Sequence, residues 1–394
     1  MQTLALLFWI LLALVVYTYV GYGIVLYLLV RLKEWLQPPV HYPAPEEWPP
    51  VTLFIAAYNE EAVVADKMEN CRKLDYPADM LTILWVTDGS NDNTNTRLAA
   101  YPDATVLFDP ARKGKTAAMN RGIAWVTTPY VIFSDANTHI NPEAIKAIVL
   151  AFQDPKVGCV AGEKRVEVAE ADNASSGEGF YWKYESTLKR LDGRLAGAAG
   201  AAGELFAVRT DLYETMPPDT LLDDFMISLK IVCKGYRTAY CQTAYAMETS
   251  SANVQEEEKR KVRIAAGGLQ SIARLTPLLN PFRFGLFSFQ YVSHRVLRWT
   301  VTPVALFLLL PLNLTLALHA ESPALYGWLL AGQLLFYLLA LWGKILANRE
   351  VKNKMLFIPY YFLFMNLSVF KGFFYLQKKK NDGTWSRALR KEKN

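Results

Sequence analysis

Asp88 in WVTDGSNDNT, Asp135 in VIFSDANT and the pair Asp223-Asp224 in LLDDF follow one another along the chain, each where an apolar run gives out. In an open α/β sheet, ligands collect in the crevice beyond the carboxyl ends of the strands. Carboxylates from separate strand ends can meet there and hold a base or ribose, a divalent metal and a proton to be abstracted. Each motif also has a plainer reading, because Asp and Asn ahead of a helix cap it routinely. Their number and order make them more specific together than any one of them alone.

The residues around them narrow the chemistry. Asn59 and Glu60 in AYNEE follow the first strand, where exposed backbone at a turn suits a base or ribose. In RKGKTAAMNRG, Lys115 follows a glycine turn at a helix start, a place that suits diphosphate. The P-loop spacing is absent, and a solvated basic loop would contain the same residues. Asp135 and Asn137 are two apart on a strand end, so both oxygens share one face. Hard oxygen ligands completed by substrate phosphates suit Mg2+ or Mn2+. His139 nearby reads as a surface side chain. Asp223 and Asp224 open a helix, where the dipole favours negative charge. Capping accounts for one of them and leaves a general-base role open for the other. Arg260 and Arg263 in KRKVRIAAGG are three apart on one helix face. They could grip a leaving diphosphate, or face solvent and lipid headgroups as a charge run.

The elements that must position these residues alternate. VTLFIAAYN, LTILWVTD, TVLFD and YVIFSD read as short buried strands, with helices at 61–73, 91–99, 116–126 and from Pro142 between and after them. That rhythm predicts a parallel sheet with right-handed crossovers. Beyond residue 155 it changes: VGCVAG, LFAVRTDLY and YRTAYCQTAYAME suggest mixed strands, with helices over 178–194, 221–234 and 254–275. GRLAGAAGAAGE is rich in Gly and Ala, so its backbone could approach a ligand closely or simply pack helices.

The composition is 52% hydrophobic, too apolar for an ordinary soluble enzyme, and the excess is segmental. Residues 3–30 contain no charge and are long enough to span the roughly 30 Å hydrocarbon core as an uncleaved anchor. Arg31 and Lys33 follow, which places residue 31 onward in the cytoplasm. Residues 300–318 and 325–346 are two further spans, joined by HAESP, which should face outward, with Lys344, Arg349, Lys352 and Lys354 inward. The third stretch, 355–376, contains Asn366 and Lys371 and leads into Lys378, Lys379, Lys380, Arg387 and Arg390. Three crossings would put that basic tail outside. The reading that keeps it inside has residues 355–376 lying along the interface or re-entering, with the lysines drawn to anionic lipid. The divisions expected are a first span over 1–30, a Pro-rich linker over 31–50, a cytoplasmic domain over 51–275, an interfacial segment over 276–299, a membrane region over 300–376 and a basic tail over 377–394. Cys71, Cys159, Cys233 and Cys241 lack paired metal spacing and read as reduced core filler. The net charge of +5 gathers near the membrane, so nucleic-acid binding is not indicated.

The motif order over about residues 50–275, with spans on either side, resembles the membrane-embedded glycosyltransferases of family 2, whose members make cellulose, hyaluronan and poly-N-acetylglucosamine. The resemblance implies an α/β fold: a GT-A nucleotide-diphospho-sugar transferase domain with a mostly parallel sheet, flanked by transmembrane helices. It implies that Asp88 holds the nucleoside with Asn59 and Glu60 beside it, and that Lys115 lies near the diphosphate, while Arg260 is expected at the donor from its helix face alone. Asp135 and Asn137 stand where the family has a DxD-type metal motif, here with Asn second. Asp223-Asp224 matches an ED-type pair, with Asp224 as the base and Asp223 capping the helix or orienting its neighbour. Arg263 fits the arginine of the QxxRW motif of processive relatives, but Arg260 and Ile264 replace its Gln and Trp. Trp385 and Arg387 in TWSRALR resemble tail sequences of these enzymes. The implied reaction moves a sugar, with inversion, from a nucleoside diphosphate to a growing glycan or lipid-linked acceptor in cell-surface polysaccharide synthesis. Alternatives are a single-sugar transferase acting on polyprenyl phosphate or another lipid, and an inactive nucleotide-binding subunit of an export complex. Expected partners are the nucleotide sugar, the acceptor, membrane lipid and export subunits. The expected location is a bacterial inner membrane, crossed more than once.

Overall fold

The computed structural model describes residues 1–38, 40, 42–167, 177–249, 254–348 and 354–378. Lys379, Lys380, Trp385, Arg387 and Arg390 of the tail, and Arg349 and Lys352, lie outside the described residues.

One eight-stranded sheet organises the middle of the chain. Its strands are β1 (Val51–Ala57), β2 (Leu81–Asp88), β3 (Ala104–Asp109), β4 (Tyr130–Asp135), β5 (His139–Ile140), β6 (Val157–Glu167), β7 (Leu205–Arg209) and β8 (Arg237–Thr249), in the order β3-β2-β1-β4-β7-β6-β8-β5. The neighbours among β1 to β4 run parallel, as their continuous apolar runs predict. The chain winds from β1 out to β3, then returns to the other side of β1 as β4. The strand order therefore reverses between β1 and β4, and the crevice opens at their carboxyl ends.

The second half is mixed. β7 runs antiparallel to β4 and β6, while β6 pairs parallel with β8. This direction has a consequence for the site: Ser134, next to the carboxyl end of β4, pairs with Leu205, the first residue of β7. The Gly/Ala-rich stretch that enters β7 is thereby delivered to the edge where Asp135 emerges. The two-residue β5 was not foreseen. It pairs with Ala246 and Met247 of β8 and closes the far edge.

Alternation along β1 sends Leu53 and Ile55 into the core on one face and Phe54 into the core on the other. Helices Val64–Arg72 and Ala144–Ala151 cover the first face, and Lys115–Ile123 and Asp223–Cys233 the second. Both amino termini on the second face point to the carboxyl edge of the sheet. Lys115 and Asp223-Asp224 meet for that reason.

Among the described residues, four helices are long and apolar enough to cross a membrane: Gln2–Leu36, Val301–His319, Pro323–Ala347 and Met355–Lys378. Leu6, Ile10, Leu28, Phe307 and Leu338 are exposed along them, the outward apolar dress of a lipid-facing helix. The first contains a π-turn at Tyr17–Gly21 and runs past the expected residue 30. Segment 276–299 is largely helical, from Pro281–Phe284 through Leu297–Trp299. Buried charges lock it to its neighbours. Asp192 accepts from Tyr22 Oη, and His294 Nδ1 lies 2.5 Å from Asp192 Oδ2. Glu185 accepts from Arg295 and Arg298 at 3.0 Å each. Removing the Glu185 carboxylate would take the shared acceptor from Arg295 and Arg298 together, a loss of about 3–5 kcal/mol.

Helix Lys354–Lys378 stays against helix Val254–Arg274 over much of its length. The Tyr361 ring lies 5.7 Å from Lys261 Nζ, Lys371 pairs with Glu258, and a Cβ on Gly372 would stand 2.8 Å from Ala266 N.

Candidate active site

Asp88 ends β2 and is 4% exposed. Its Oδ2 accepts from the backbone N–H of Lys113 at 2.9 Å and of Gly114 at 2.6 Å. The other oxygen, Oδ1, is buried without a hydrogen-bond partner among the described residues, and Arg121 Nη1 is 4.0 Å away. One oxygen therefore shapes the loop, and the second is left for a donor that the described residues do not supply. Gly89 follows with φ +67, and a Cβ there would lie 2.7 Å from Arg112 N, so glycine is required for the turn.

Asn59 is the only described residue other than glycine with positive φ, at 53°. Asparagine tolerates that region, and here the side chain secures it. Its Nδ2 donates to Asn91 Oδ1 at 2.7 Å, and its Oδ1 accepts from Asn91 N at 3.0 Å. Glu60 N donates to Thr94 Oγ1 at 2.8 Å. The AYNEE turn and the Asp88 loop are thus one laced unit rather than two separate polar loops.

Lys115 begins its helix and reaches across to the acids. Its Nζ is 2.7 Å from Asp135 Oδ1 and 3.8 Å from Asp223 Oδ2. Burial works to lower the ammonium, but Asp135, Asp223 and Asp224 outweigh it and hold the proton well above the ordinary lysine range. Asn120, on the same helix, is spent on the 213–216 loop. Its Oδ1 accepts from Met216 N at 3.0 Å.

Asp135 ends β4, and Asn137 lies in the turn beyond it. The expected sharing of one strand face does not hold, because Asn137 has already left the strand. His139 pairs with Asp66 at 2.8 Å on the surface.

Asp223 and Asp224 form the first turn of their helix, with Leu222 at the cap position. Asp223 is not the cap residue. Its Oδ1 accepts from Asp224 N at 3.0 Å, while its Oδ2 is buried with no hydrogen-bond partner among the described residues. Burial, and then the charge of Asp223, push the Asp224 carboxyl up to about 7 against the pull of Lys115. A carboxylate titrating there can take a proton from a hydroxyl near neutral pH.

The preceding loop is pinned from two sides. Thr116 Oγ1 donates to Thr220 O at 3.2 Å, and Gln270 Nε2 donates to Asp219 O at 2.9 Å. Trp299, just ahead of helix Val301–His319, lies against the same helix, packed on Gly268 and edge-on to Phe225 at 5.4 Å.

Arg260 is 3.6 Å from both Glu204 and Glu257, so its charge is engaged beside the site. Arg263 is half-buried one turn on. Sequence reasoning did not single out Gly203 and Glu204, which enter β7. A Cβ on Gly203 would stand 3.3 Å from Asp224 Oδ2 and 3.5 Å from Lys115 Nζ. The close-approach reading of the Gly/Ala stretch was the signal available.

The acids at this edge offer hard oxygens only, and one of them, Asp223 Oδ2, is buried with no hydrogen-bond partner among the described residues, Lys115 Nζ standing off at 3.8 Å. They fit Mg2+ or Mn2+ by donor type. Among the described residues no three His, Cys, Asp or Glu side chains form a cage, so phosphate oxygens would have to complete the shell.

Residues 52–216 match the sequence profile of glycosyl transferase family 2. The poly-beta-1,6-N-acetyl-D-glucosamine synthase of Staphylococcus aureus (strain COL) is 27% identical over 235 residues, 57% of this chain and 56% of that protein. The synthase of that name from Staphylococcus epidermidis (strain ATCC 35984) is 24% identical over 258 residues, 63% of this chain and 62% of that one. The chain thus spans little more than half the length of the curated relatives it matches. The solved structure of mannosyltransferase PcManGT from Pyrobaculum calidifontis in complex with GDP-Man and Mn2+ shares the fold. Its TM-score is 0.70 at 22% identity, covering 94% of this chain and 99% of that one. Residues 52–216 therefore form a glycosyl transferase family 2 domain, on a GT-A fold and within a chain whose four long apolar helices mark it as a membrane protein.

Proposed function

We propose that the chain transfers a sugar from a nucleoside diphosphate to the hydroxyl of a growing glycan or lipid-linked acceptor, with inversion, in cell-surface polysaccharide synthesis. The observation that carries this reading is the reach of Lys115 to Asp135 and Asp223, beside a buried Asp224 whose carboxyl is pushed up by burial and by the charge of Asp223. Asp88 Oδ1 and the laced turn around Asn59 and Glu60 receive the nucleoside. Lys115 and Asp135, with Asn137, face the diphosphate, and Arg263 supports the leaving group. Asp224 takes the acceptor proton. A divalent ion held by Asp135 and Asn137 would supply Lewis-acid stabilisation of the leaving diphosphate. The Mn2+ and GDP-Man of the Pyrobaculum calidifontis structure support this assignment by analogy of fold. The test is a donor panel with the full chain in lipid, reading nucleotide release with and without Mn2+ or Mg2+. Release with one donor is expected, and absence of release with every donor would revive the inactive-subunit reading.

Asp88→Ala removes the acceptor of two backbone N–H groups and the free oxygen together. Hydrogen bonds to a charged group are worth about 1.5–3 kcal/mol, so nucleotide affinity measured by calorimetry should fall about 10- to 100-fold. Unchanged affinity would remove Asp88 from the nucleoside site.

Ile264, where processive relatives have tryptophan, favours a second reading in which one sugar is added to a lipid. Product length decides between them: a ladder means a polymerase, one addition a lipid glycosylase.

The catalytic domain faces the cytoplasm in this reading, because Arg31 and Lys33 follow the first span. The contacts of Tyr361, Lys371 and Gly372 with helix Val254–Arg274 support an interfacial path for helix Lys354–Lys378, which keeps the tail inside. A cysteine placed in HAESP should react with an impermeant maleimide from outside, while cysteines in the domain stay protected. The reverse pattern would overturn the orientation.

A further inference from the structure

Lys67 has no exposed surface. It stands on helix Val64–Arg72, on the stripe formed by Val64, Met68 and Cys71, all core residues on the face of the sheet opposite Lys115 and Asp223. An ammonium is costly to bury unless it is well hydrogen-bonded, and an apolar side chain would fill that stripe as well. The charge therefore has another use. Lys67 Nζ donates to Ser134 Oγ at 2.7 Å and to Thr138 O at 2.7 Å, one acceptor on each side of the turn that carries Asp135 and Asn137. Thr138 Oγ1 donates in turn to Asp135 O at 2.9 Å and lies 3.1 Å from Ser134 Oγ. Both hydroxyls reach Glu204 O, at 3.4 and 3.5 Å. Glu204 adjoins Gly203, which lies against Asp224 and Lys115. One buried ammonium thus stands at the root of two segments of the site.

We propose that Lys67 is a positioning residue for the cation-facing end of the site, fixing the 134–138 turn and the Gly203–Glu204 entry to β7 in one arrangement. The inference rests on the proposed reading that Asp135 faces a divalent cation. Burial lowers the Lys67 ammonium, and in either protonation state the amine keeps enough N–H groups for both bonds. Its charge opposes a cation at Asp135. Its contribution is therefore geometric: two short bonds bracket a turn that would otherwise choose among conformations. The long arm of lysine suits the task, because the turn is reached through the core from the far face of the sheet.

The test titrates Mn2+ into the full chain in lipid nanodiscs with saturating UDP, and separately GDP, following free Mn2+ by electron paramagnetic resonance. Wild type, Lys67→Met, Ser134→Ala and Asp135→Ala are compared. Partners that orient ligands from behind typically contribute 10- to 100-fold to metal affinity, so Lys67→Met should weaken Mn2+ binding about that much. Its circular dichroism should match wild type. In turnover the loss should sit in the KM for Mn2+, with kcat restored at saturating metal. A merely structural lysine would depress kcat whatever the metal concentration. If Lys67→Met binds Mn2+ as wild type does while Asp135→Ala does not, Lys67 has no such role. If Asp135→Ala also binds normally, the cation reading falls and takes this inference with it. Should Lys67→Met fail to fold, Ser134→Ala decides: a several-fold loss of Mn2+ affinity supports the proposal, and none overturns it.

Discussion

Asp224→Asn should bind the donor nearly as wild type does and lose turnover by about 10²- to 10⁴-fold, the usual cost of removing a positioned base. The substitution keeps size and hydrogen bonding, so the acceptor from Phe225 N, now 2.8 Å from Oδ1, can be retained by the amide oxygen. Basicity alone is removed. Because the Asp224 carboxyl sits at about 7, kcat/KM of wild type should rise with pH through that region and level off above it. Below pH 7 the carboxyl holds its own proton and cannot accept another. Asp223→Asn removes a negative neighbour that helps raise Asp224, so the same limb should move to lower pH with a smaller loss of rate. Retained turnover in Asp224→Asn together with a dead Asp223→Asn would exchange the two roles. No effect from either would end the proposed mechanism.

Chelation is the second large effect. EDTA should abolish transfer and added Mn2+ or Mg2+ restore it. Asp135→Ala should lower kcat/KM by about 4 kcal/mol of transition-state stabilisation, roughly a thousandfold, if it holds the cation that offsets leaving-group charge. Lys115 already touches Asp135 Oδ1 at 2.7 Å, so the carboxylate does not stand alone without metal. Lys115→Met should therefore weaken nucleotide binding more in the presence of metal-bound diphosphate than the loss of a surface charge would. Full activity in EDTA would remove the cation from the mechanism.

The strands that bear Asp88 and Asp135 were legible because each is a short, doubly buried apolar run, and such runs end abruptly where polar residues begin. LTILWVTD matches β2 residue for residue. Helix boundaries were less legible: the helix expected from Glu61 begins at Val64, because Glu60 and Glu61 are held in the turn by Thr94 and Asp92. The expected capping by Asp223 was displaced by one position, since Leu222 takes the cap and both aspartates enter the helix. The spacing of Arg260 to Arg263 points both at a leaving diphosphate. The Arg260 side chain is instead drawn to Glu204 and Glu257, of which Glu204 lies far away in sequence and could not be paired with it beforehand. Lys67 did leave a trace. A lysine three residues after Val64 and one before Met68 interrupts an apolar stripe, which is a signal of a buried polar task. Its acceptors, however, belong to a strand end about seventy residues on.

The antiparallel run of β7 has a consequence for what the site admits. It brings residue 203 over the oxygen proposed to take the proton, with only hydrogen where a side chain would begin. A methyl group there would stand 3.3 Å from Asp224 Oδ2 and 3.5 Å from Lys115 Nζ, occupying space next to the base. Residue 203 is thus a spacer of the smallest size. Its clearance is the width of a single carbon, so any longer side chain there would press on the Asp224 carboxylate and the Lys115 ammonium.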